Sequence, residues 1–482
     1  MKLFDAIDRQ TKYDEKQLLK EEKYIKQLPL LKNRLYEIIL QSLDVLYSTN
    51  SVEATLRNYL HYIEILFDKG LYKQCSKIIS SAKKIASDHE SYPMMIEIFE
   101  WERNLIHIEY NETVRENDLI NITKEQIVCL DKWKNYTEYR NLNSMVLLMH
   151  RKVRHVRNED IANDLNAIIN YDLFKQESSA LSDRAKYYFY HAQGLYFFGR
   201  GDYENGHAYF TKALRLMEDN PKFTIANLQR YTSILANLIV ATTLLKKHNG
   251  MLSIIRKLKA IPQMFSTILI PENIKIKIFT VTYINELAIY GNTGEFEKGM
   301  LLIPEVQIGL EHFKTKINKR QLSVIYYNIS SIYFGVNDYS RALIWINKIL
   351  NDTEIEKTVP DLYCFSCILN LIIHFELAHF DLLEYIVKST YRYLYKRGRL
   401  YKVEASILSF IRKKPPKIKS NEELIKAFKE LKIELKEIYK DPFEKGALEY
   451  FDIISWLESK IENKSFAEIV KEKAKLVNNN PV

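Results

Sequence analysis

Apolar residues recur at three- and four-residue intervals along most of this chain, a spacing that predicts amphipathic α-helices. The pattern is clearest from Ala185 to Pro221, where aromatic and small residues alternate with polar ones. This stretch divides at Gly201 and Asp202, because glycine commonly follows the end of a helix and aspartate commonly caps the next one. Residues 185–221 are therefore predicted to form a helix hairpin.

Two glycines of this hairpin lie where its helices are predicted to touch. Gly194 and Gly206 have no side chains, so the two helix axes can approach closely there. Phe197 is predicted to fill the wedge beside this contact. Phe210 and Ala213 are predicted to face the next hairpin.

Comparable sets of aromatic and small residues recur elsewhere along the chain. They are Tyr59, Leu66, Gly70, Tyr72, Cys75 and Ala82; Tyr283, Tyr290, Gly294, Phe296 and Gly299; and Tyr326, Ser330, Tyr333, Tyr339 and Ala342. In the second set, Pro304 is predicted to shorten or kink the second helix. The pattern fades between Ser91 and Ser178, where we predict two irregular hairpins, with Thr123 and Gln126 at capping-box spacing.

The first 50 residues are predicted to form a helical capping segment. Asp14–Lys20 and Leu28–Leu40 have the pattern of two short helices joined by a turn. An alternative is a helix-turn-helix in which Lys32, Asn33 and Arg34 face DNA. The turn contains no glycine and short basic helices are common, so a hairpin that starts the array is the favoured interpretation.

Residues 413–482 are predicted to form a separate helical segment after the basic, proline-containing stretch Lys413–Lys417. Three helix starts are predicted there from capping patterns: Ser420 with Glu423, Asp441 with Pro442, and Ser465 with Glu468. We expect this segment to cap the open end of the array. The alternative is a docking or dimerisation module.

The repeated pattern resembles the tetratricopeptide repeat family in a divergent form. The matching positions of the best hairpin are Tyr190, Gly194, Phe197, Gly201, Tyr203, Gly206, Phe210 and Ala213. The resemblance implies an all-α fold, a right-handed α-solenoid of antiparallel helix hairpins over residues 51–412 with a C-terminal helical cap. It also implies a concave surface, lined by the first helix of each hairpin, that holds a peptide or a partner protein.

Composition and charge bear on the fold class, the kind of partner and the cellular compartment. The 482 residues include only 13 glycines and 11 prolines, too few for the many turns of a β architecture. A net charge of +9 is mild for this length, so we do not expect a nucleic-acid partner. Met1–Asp8 contains no apolar signal-peptide region, and no apolar stretch is long enough to span a membrane, so we expect a cytoplasmic protein.

Two pairs of residues have spacings that could carry chemistry. Cys364 and Cys367 could bind metal or cycle redox, but they lie in an apolar helical run without a second cysteine pair. His374 and His379 are five residues apart, which predicts different faces of one helix. No phosphate-binding glycine loop or nucleophile elbow is present. We therefore expect no enzymatic activity, no metal and no cofactor.

The sequence favours a non-enzymatic scaffold that binds a protein or peptide. Residues predicted to line its groove are Tyr188, His191, Leu195 and Phe198 in the best hairpin, and Val324, Tyr327 and Ser331 in a later one. Arg151 and Arg154, in the densest basic run, form either a solvated face or a receptor for an acidic partner. The alternatives are a regulator that senses a peptide or nucleic acid and switches a terminal effector segment, and an enzyme with a pocket between hairpins.

Overall fold

The computed structural model of this chain is helical wherever it has regular structure. The residues that it describes are 2–10, 13–23, 25–47, 51–108, 115–153, 171–245, 247–266, 268–413, 420–441 and 451–479. Within these ranges there is no strand. The predicted all-α fold class is confirmed.

The chain forms two compact units. Unit 1 comprises Met1–Ala241 with Phe265–Leu269, and unit 2 comprises Thr242–Met264 with Ile270–Val482. The boundary between the units falls inside the predicted array of residues 51–412. The predicted division into three segments stays a prediction.

Unit 1 contains twelve described α-helices, the last of which ends just beyond its boundary. They are α1 (Lys2–Asp8), α2 (Glu15–Glu21), α3 (Leu28–Tyr47), α4 (Val52–Asp68), α5 (Tyr72–Asp88), α6 (Tyr92–Ile108), α7 (Arg115–Val153), α8 (Asp172–Lys175), α9 (Asp183–Gly199), α10 (Tyr203–Glu218), α11 (Pro221–Ala226) and α12 (Leu228–Leu244). Within this unit, α4 packs on α5, α6 on α7, and α9 on α10. Helices that are neighbours in sequence are therefore neighbours in space.

Unit 2 repeats this organisation. Its described helices are α13 (His248–Met264), α14 (Glu272–Asn292), α15 (Phe296–Phe313), α16 (Lys319–Gly335), α17 (Tyr339–Leu350), α18 (Thr353–Thr358), α19 (Pro360–Glu376), α20 (Phe380–Lys396), α21 (Lys402–Lys413), α22 (Asn421–Ile438), α23 (Ile453–Glu462) and α24 (Phe466–Asn479). The pairs α14–α15, α16–α17, α19–α20 and α22–α23 pack together. One hydrophobic core runs from α14 to α24.

The turn of the best hairpin forms as predicted. α9 ends at Gly199, and Gly201 follows in the left-handed region with φ of 78°. The Asp202 carboxylate then accepts the backbone N–H of Asn205 at 3.1 Å, which caps α10.

The helix contact of this hairpin also forms at the predicted glycines. A Cβ on Gly194 would overlap the ring of Phe210, and a Cβ on Gly206 would overlap the ring of Phe198. Phe210 therefore packs against α9 of its own hairpin, where its ring fills the space that the opposite glycine leaves. That Phe210 also faces the next hairpin stays a prediction.

Residues 91–178 differ in part from the prediction. In the described part of this region, α6 packs against the long helix α7 as one helix pair. The second predicted hairpin stays a prediction, because residues 154–170 lie outside the described residues. Thr123 lies inside α7, where its hydroxyl donates to the carbonyl oxygen of Leu119 at 2.8 Å. The predicted capping box is wrong, because a threonine inside a helix can satisfy its hydroxyl on the preceding turn.

Proline and capping signals have mixed outcomes in unit 2. α15 continues through Pro304 to Phe313, so Pro304 does not shorten this helix, and the alternative that it kinks the helix stays a prediction. Ser420 caps α22 by accepting the N–H of Glu423 at 3.2 Å. Ser465 and Glu468 form a reciprocal capping box at α24. The helix start predicted at Asp441-Pro442 falls on residues 442–450, which lie outside the described residues.

The N-terminal helices form a small core of their own. Leu3, Ala6, Leu18, Ile25 and Leu28 are buried together where α1, α2 and α3 meet. Asp14 caps α2 as an acceptor of two backbone N–H groups. Lys32, one of the three residues considered for DNA contact, forms an ion pair with Glu15 at 2.6 Å.

A helix spans a membrane only if it is both long and apolar. Among the described residues, no helix combines the length and apolar character needed to cross a bilayer.

Alanine at Gly335 tests how tightly the helices of unit 2 pack. A Cβ on Gly335, the last residue of α16, would overlap the ring of Phe296. A Cβ on Gly291, near the end of α14, would meet nothing within 4 Å. We expect Gly335→Ala to lower the free energy of unfolding of unit 2 by about 1–3 kcal/mol. We expect the control Gly291→Ala to leave it unchanged or raise it by up to ~1 kcal/mol. Denaturation followed by circular dichroism measures both, and equal effects would contradict a tight contact at Phe296.

Candidate functional site

A cluster of polar and aromatic side chains lies between three helices of unit 1. α7, α9 and α12 each contribute two residues, three or seven positions apart, so both lie on one side of their helix. The residues are Tyr136 and Asn143, Tyr188 and His191, and Arg230 and Asn237. We call this set the Arg230 face.

His191 links the three helices at one end of the Arg230 face. Its Nδ1 lies 2.6 Å from Oδ1 of Asn143, and its Nε2 lies 3.0 Å from Nδ2 of Asn237. An amide oxygen accepts and an amide nitrogen donates, so Nδ1 carries the proton and Nε2 accepts. The two asparagines therefore hold the imidazole in one tautomer and one orientation.

Arg230 links the helices at the other end. Its Nη2 donates to the hydroxyl oxygens of Tyr188, at 3.1 Å, and Tyr136, at 3.3 Å, while its Nη1 donates to Oδ1 of Asn227. The guanidinium also lies 5.0 Å from the centre of the Tyr188 ring, within range of a cation–π contact. The side chain is thereby held in place by groups that carry no formal charge.

Burial and the nearby arginines shift the pKa values of Tyr136 and Tyr188. Burial alone would raise the pKa of Tyr136, but the guanidinium groups of Arg230, Arg140 and Arg184 outweigh burial and hold it below its usual value. Burial raises the pKa of Tyr188, and the nearby Arg230 only partly opposes that effect. The potential at Tyr136 is therefore positive.

The predicted groove residues of unit 2 lie in a different surrounding. Tyr327 is buried and lines a narrow cavity together with Phe451 and Ile453 of the C-terminal segment. Val324 is half-buried and packs on the core of unit 2, and Ser331 is half-buried. A partner that reached Tyr327 would meet the chain's own residues 451–453.

The C-terminal helices pack on several earlier helix pairs of unit 2. The ring of Phe451 lies 5.1 Å from that of Phe334 at the end of α16, in an edge-to-face arrangement. Gly294, in the turn after α14, approaches the backbone of α24 so closely that a Cβ there would lie 2.7 Å from the backbone nitrogen of Lys471. The segment therefore contacts the ends of at least two helix pairs before the last one.

Glu376 is the polar anchor of this segment. Its carboxylate accepts the indole N–H of Trp456 at 2.6 Å and the ammonium group of Lys460 at 2.6 Å. The Glu376 side chain is only 7% exposed, and its bonds to these two donors offset the free-energy cost of burying the carboxylate. The end of α19 is thereby joined to α23.

The sequence-predicted site residues are only partly brought together. Tyr188 and His191 belong to the Arg230 face, whereas Leu195 is buried and Phe198 packs against Gly206 between α9 and α10. Arg154 and the side chain of Arg151 lie outside the described residues. Whether any of these residues contacts a partner stays a prediction.

Sequence reasoning missed the other members of the Arg230 face. Tyr136, Asn143, Arg230 and Asn237 lie on helices that match the repeat pattern weakly, so no motif marked them. The usable signal was the recurrence of a polar residue seven positions after another on α7 and on α12. That spacing becomes informative only once the partner helix is known.

The cysteine and histidine pairs are explained by packing and by a turn. Cys364 and Cys367 are buried free thiols, and burial raises the pKa of Cys364 to about 11. The prediction that His374 and His379 point from different faces of one helix is wrong, because α19 ends at Glu376 and the following turn brings their Nδ1 atoms to 3.0 Å. In the described part of the chain, no three His, Cys, Asp or Glu residues are grouped to hold a metal.

Comparisons with known proteins do not assign this chain to a family. No family model matches the sequence, and no curated protein matches it. Among solved structures, the chain is similar to the crystal structure of NprR in complex with its cognate peptide NprX, with a TM-score of 0.35 and 14% sequence identity. The match covers 82% of this chain and 95% of that chain. The function must therefore be argued from the residues of this chain.

Replacement of Glu376 tests the anchoring of the C-terminal helices. Glu376→Ala leaves the buried indole N–H of Trp456 without its acceptor, which we expect to cost about 1–3 kcal/mol. Hydrogen exchange should then become faster in α23 and α24, while Glu376→Gln, which keeps an acceptor oxygen, has a smaller effect.

The matched control is Glu384→Ala on α20, a carboxylate whose side chain is 70% exposed and pairs with Lys388. It should leave exchange in α23 and α24 unchanged. Equal exchange rates in Glu376→Ala and Glu384→Ala would contradict the anchoring role.

Proposed function

We propose that this protein is a non-enzymatic scaffold that binds a protein or peptide through the Arg230 face of unit 1. The observation that carries the proposal is the convergence of donors, acceptors and aromatic rings from α7, α9 and α12 on one surface. Tyrosine and arginine dominate the energetic centres of protein interfaces, because each combines a large contact area with directed hydrogen bonds.

The Arg230 face is also well prepared for binding. Its side chains stand on helices, and hydrogen bonds between them fix their orientation before a partner arrives. A partner therefore does not have to immobilise these side chains, which lowers the entropic cost of association. Tyr188, His191, Arg230 and Asn237 are half-buried, so part of each remains accessible.

Unit 1 is a better candidate than unit 2 for this role. In unit 2, Tyr327 lies beside Phe451 and Ile453, so a ligand there would have to compete with an attached segment of the same chain. The Arg230 face carries donors and positive potential, which suit the backbone carbonyls and acidic groups of a peptide. The mild net charge supports a protein or peptide partner more than a nucleic acid.

Selection from a library of random short peptides tests the scaffold proposal. We expect the purified protein to enrich peptides whose affinity falls by about tenfold or more in Tyr188→Ala and in Asn237→Ala, because each change removes a contact from the centre of the face. Calorimetric titration of the enriched peptides measures this loss.

The control for the selection is Tyr385→Ala, a tyrosine on α20 of unit 2 that is 74% exposed. It should bind the enriched peptides like the unmodified protein, and circular dichroism should show full helicity in all three variants. Failure to enrich any peptide, or enrichment insensitive to both changes on the Arg230 face, would overturn the proposal.

A further inference from the structure

Hydrogen-bond donors converge around the hydroxyl groups of Tyr136 and Tyr188. Arg230 donates to both hydroxyl oxygens, and Arg140, one turn after Tyr136 on α7, is one of the guanidinium groups that lower the pKa of Tyr136. A phenol that accepts from a guanidinium keeps its own O–H to donate. The two tyrosines and two arginines thus form a cluster that is rich in donors.

Among the described residues, acids balance the positive charge of this cluster only in part. In the part of the chain that the structure describes, no carboxylate forms an ion pair with Arg230 or Arg140, and the acceptors of Arg230 are neutral oxygens. A third guanidinium, that of Arg184, lies 5.9 Å from the centre of the Tyr136 ring. Its only ion-pair partner among the described residues is Glu53, at 3.9 Å.

Arg184 also retains a donor without an acceptor. Its Nε is buried and forms no hydrogen bond with the described residues, and its side chain is only 12% exposed. A buried guanidinium loses hydration that only strong acceptors restore fully. The three arginines therefore leave an excess of positive charge and donor capacity beside Tyr136.

The cluster can be reached from solvent. Arg140 is exposed, and Tyr188 and Arg230 are half-buried, while Tyr136 is buried beneath them. Of the four side chains, that of Arg140 is therefore the most open to an incoming group.

We propose that Tyr136, Tyr188, Arg140 and Arg230 form an oxyanion subsite within the Arg230 face, which binds a carboxylate or phosphoryl group. The proposal deepens the proposed scaffold function and rests on it for the source of the oxyanion, a peptide or protein ligand. The chemistry is the pairing of a planar guanidinium fork and phenolic O–H groups with the oxygens of an anion, the geometry for which arginine is best suited. The lowered pKa of Tyr136 agrees with it, since the same guanidinium groups stabilise a negative charge on its oxygen.

Calorimetric titration with two simple probes tests this subsite. Inorganic phosphate and propionate are titrated separately into the full-length protein, with sodium chloride used to keep the ionic strength constant. Saturable binding of phosphate assigns the site to phosphoryl groups, and saturable binding of propionate assigns it to carboxylates; either supports the proposal. Absence of saturable binding of both overturns it.

Variants connect the binding to the named residues. We expect Arg230→Gln to abolish binding and Arg140→Gln to weaken it about tenfold, because each removes a charge-assisted hydrogen bond. Arg392→Gln, an exposed arginine of unit 2, is the matched control and should bind like the unmodified protein. If circular dichroism shows that Arg230→Gln does not fold, the exposed Arg140 carries the test alone. Unchanged binding in Arg140→Gln and in any folded Arg230→Gln overturns the assignment.

A tyrosinate titration distinguishes a ligand site from a purely structural arginine cluster. A bound oxyanion opposes negative charge on the Tyr136 oxygen, so saturating probe should raise the pKa of the first tyrosine to ionise. A structural cluster would leave that pKa unchanged at equal ionic strength, an outcome that overturns the proposal.

The two proposals fail in different ways. If enriched peptides lose affinity in Tyr188→Ala but neither anion binds, the scaffold stands and the oxyanion subsite falls. If an anion binds through Arg230 but no peptide is enriched, the subsite stands and the scaffold falls.

Discussion

Within each unit, neighbouring helices approach closely where a glycine of one helix faces a bulky side chain of the other. Gly194 faces Phe210 in unit 1, and Gly335 faces Phe296 in unit 2. The missing side chain lets the backbones approach, and the ring fills the remaining space at close-packed density. The Phe296 ring lies 5.6 Å from that of Phe466, so the same contact that joins two helix pairs also seats the C-terminal helix α24.

Tight packing of this kind places strict conditions on polar groups. A polar side chain between close helices needs a partner within the protein, because it has lost much of its contact with water. The Arg230 face meets this condition with neutral partners: asparagines for His191, and tyrosines with an asparagine for Arg230. The result is a rigid polar surface that retains positive charge, which is the physical basis for assigning it to binding.

The two units use comparable helix surfaces differently. In unit 1, residues of α7, α9 and α12 form a hydrogen-bonded face that remains partly accessible. In unit 2, residues 451–479 pack back onto the helix pairs, joined by the Glu376 carboxylate and by aromatic contacts at Phe334 and Phe375. This difference supports the proposal that a partner binds to unit 1.

Local interactions were predictable from the sequence. The helical fold class, the turn at Gly201 and Asp202 and the caps at Ser420 and Ser465 depend on residues within a few positions of one another. The close approach at Gly194 depends on Phe210 of the same hairpin. The cap at Thr123 and the separation of His374 from His379 were predicted wrongly, because each depends on where the surrounding helix ends.

Of the residues in the Arg230 face, only Tyr188 and His191 were predicted from the sequence, because they lie on the helix with the clearest repeat pattern. Arg230 and Asn237 are separated from Tyr136 and Asn143 by 94 residues of sequence in each case. Only tertiary packing lets Arg230 bond directly to Tyr136, and lets Asn237 and Asn143 bond to the same histidine, His191. The same holds for Glu376 and Trp456, which are 80 residues apart. Sequence periodicity determines which side of a helix is apolar, but the identity of the helix that it meets depends on the whole fold. The charge and donor balance of the Arg230 face could therefore be recognised only in the tertiary structure.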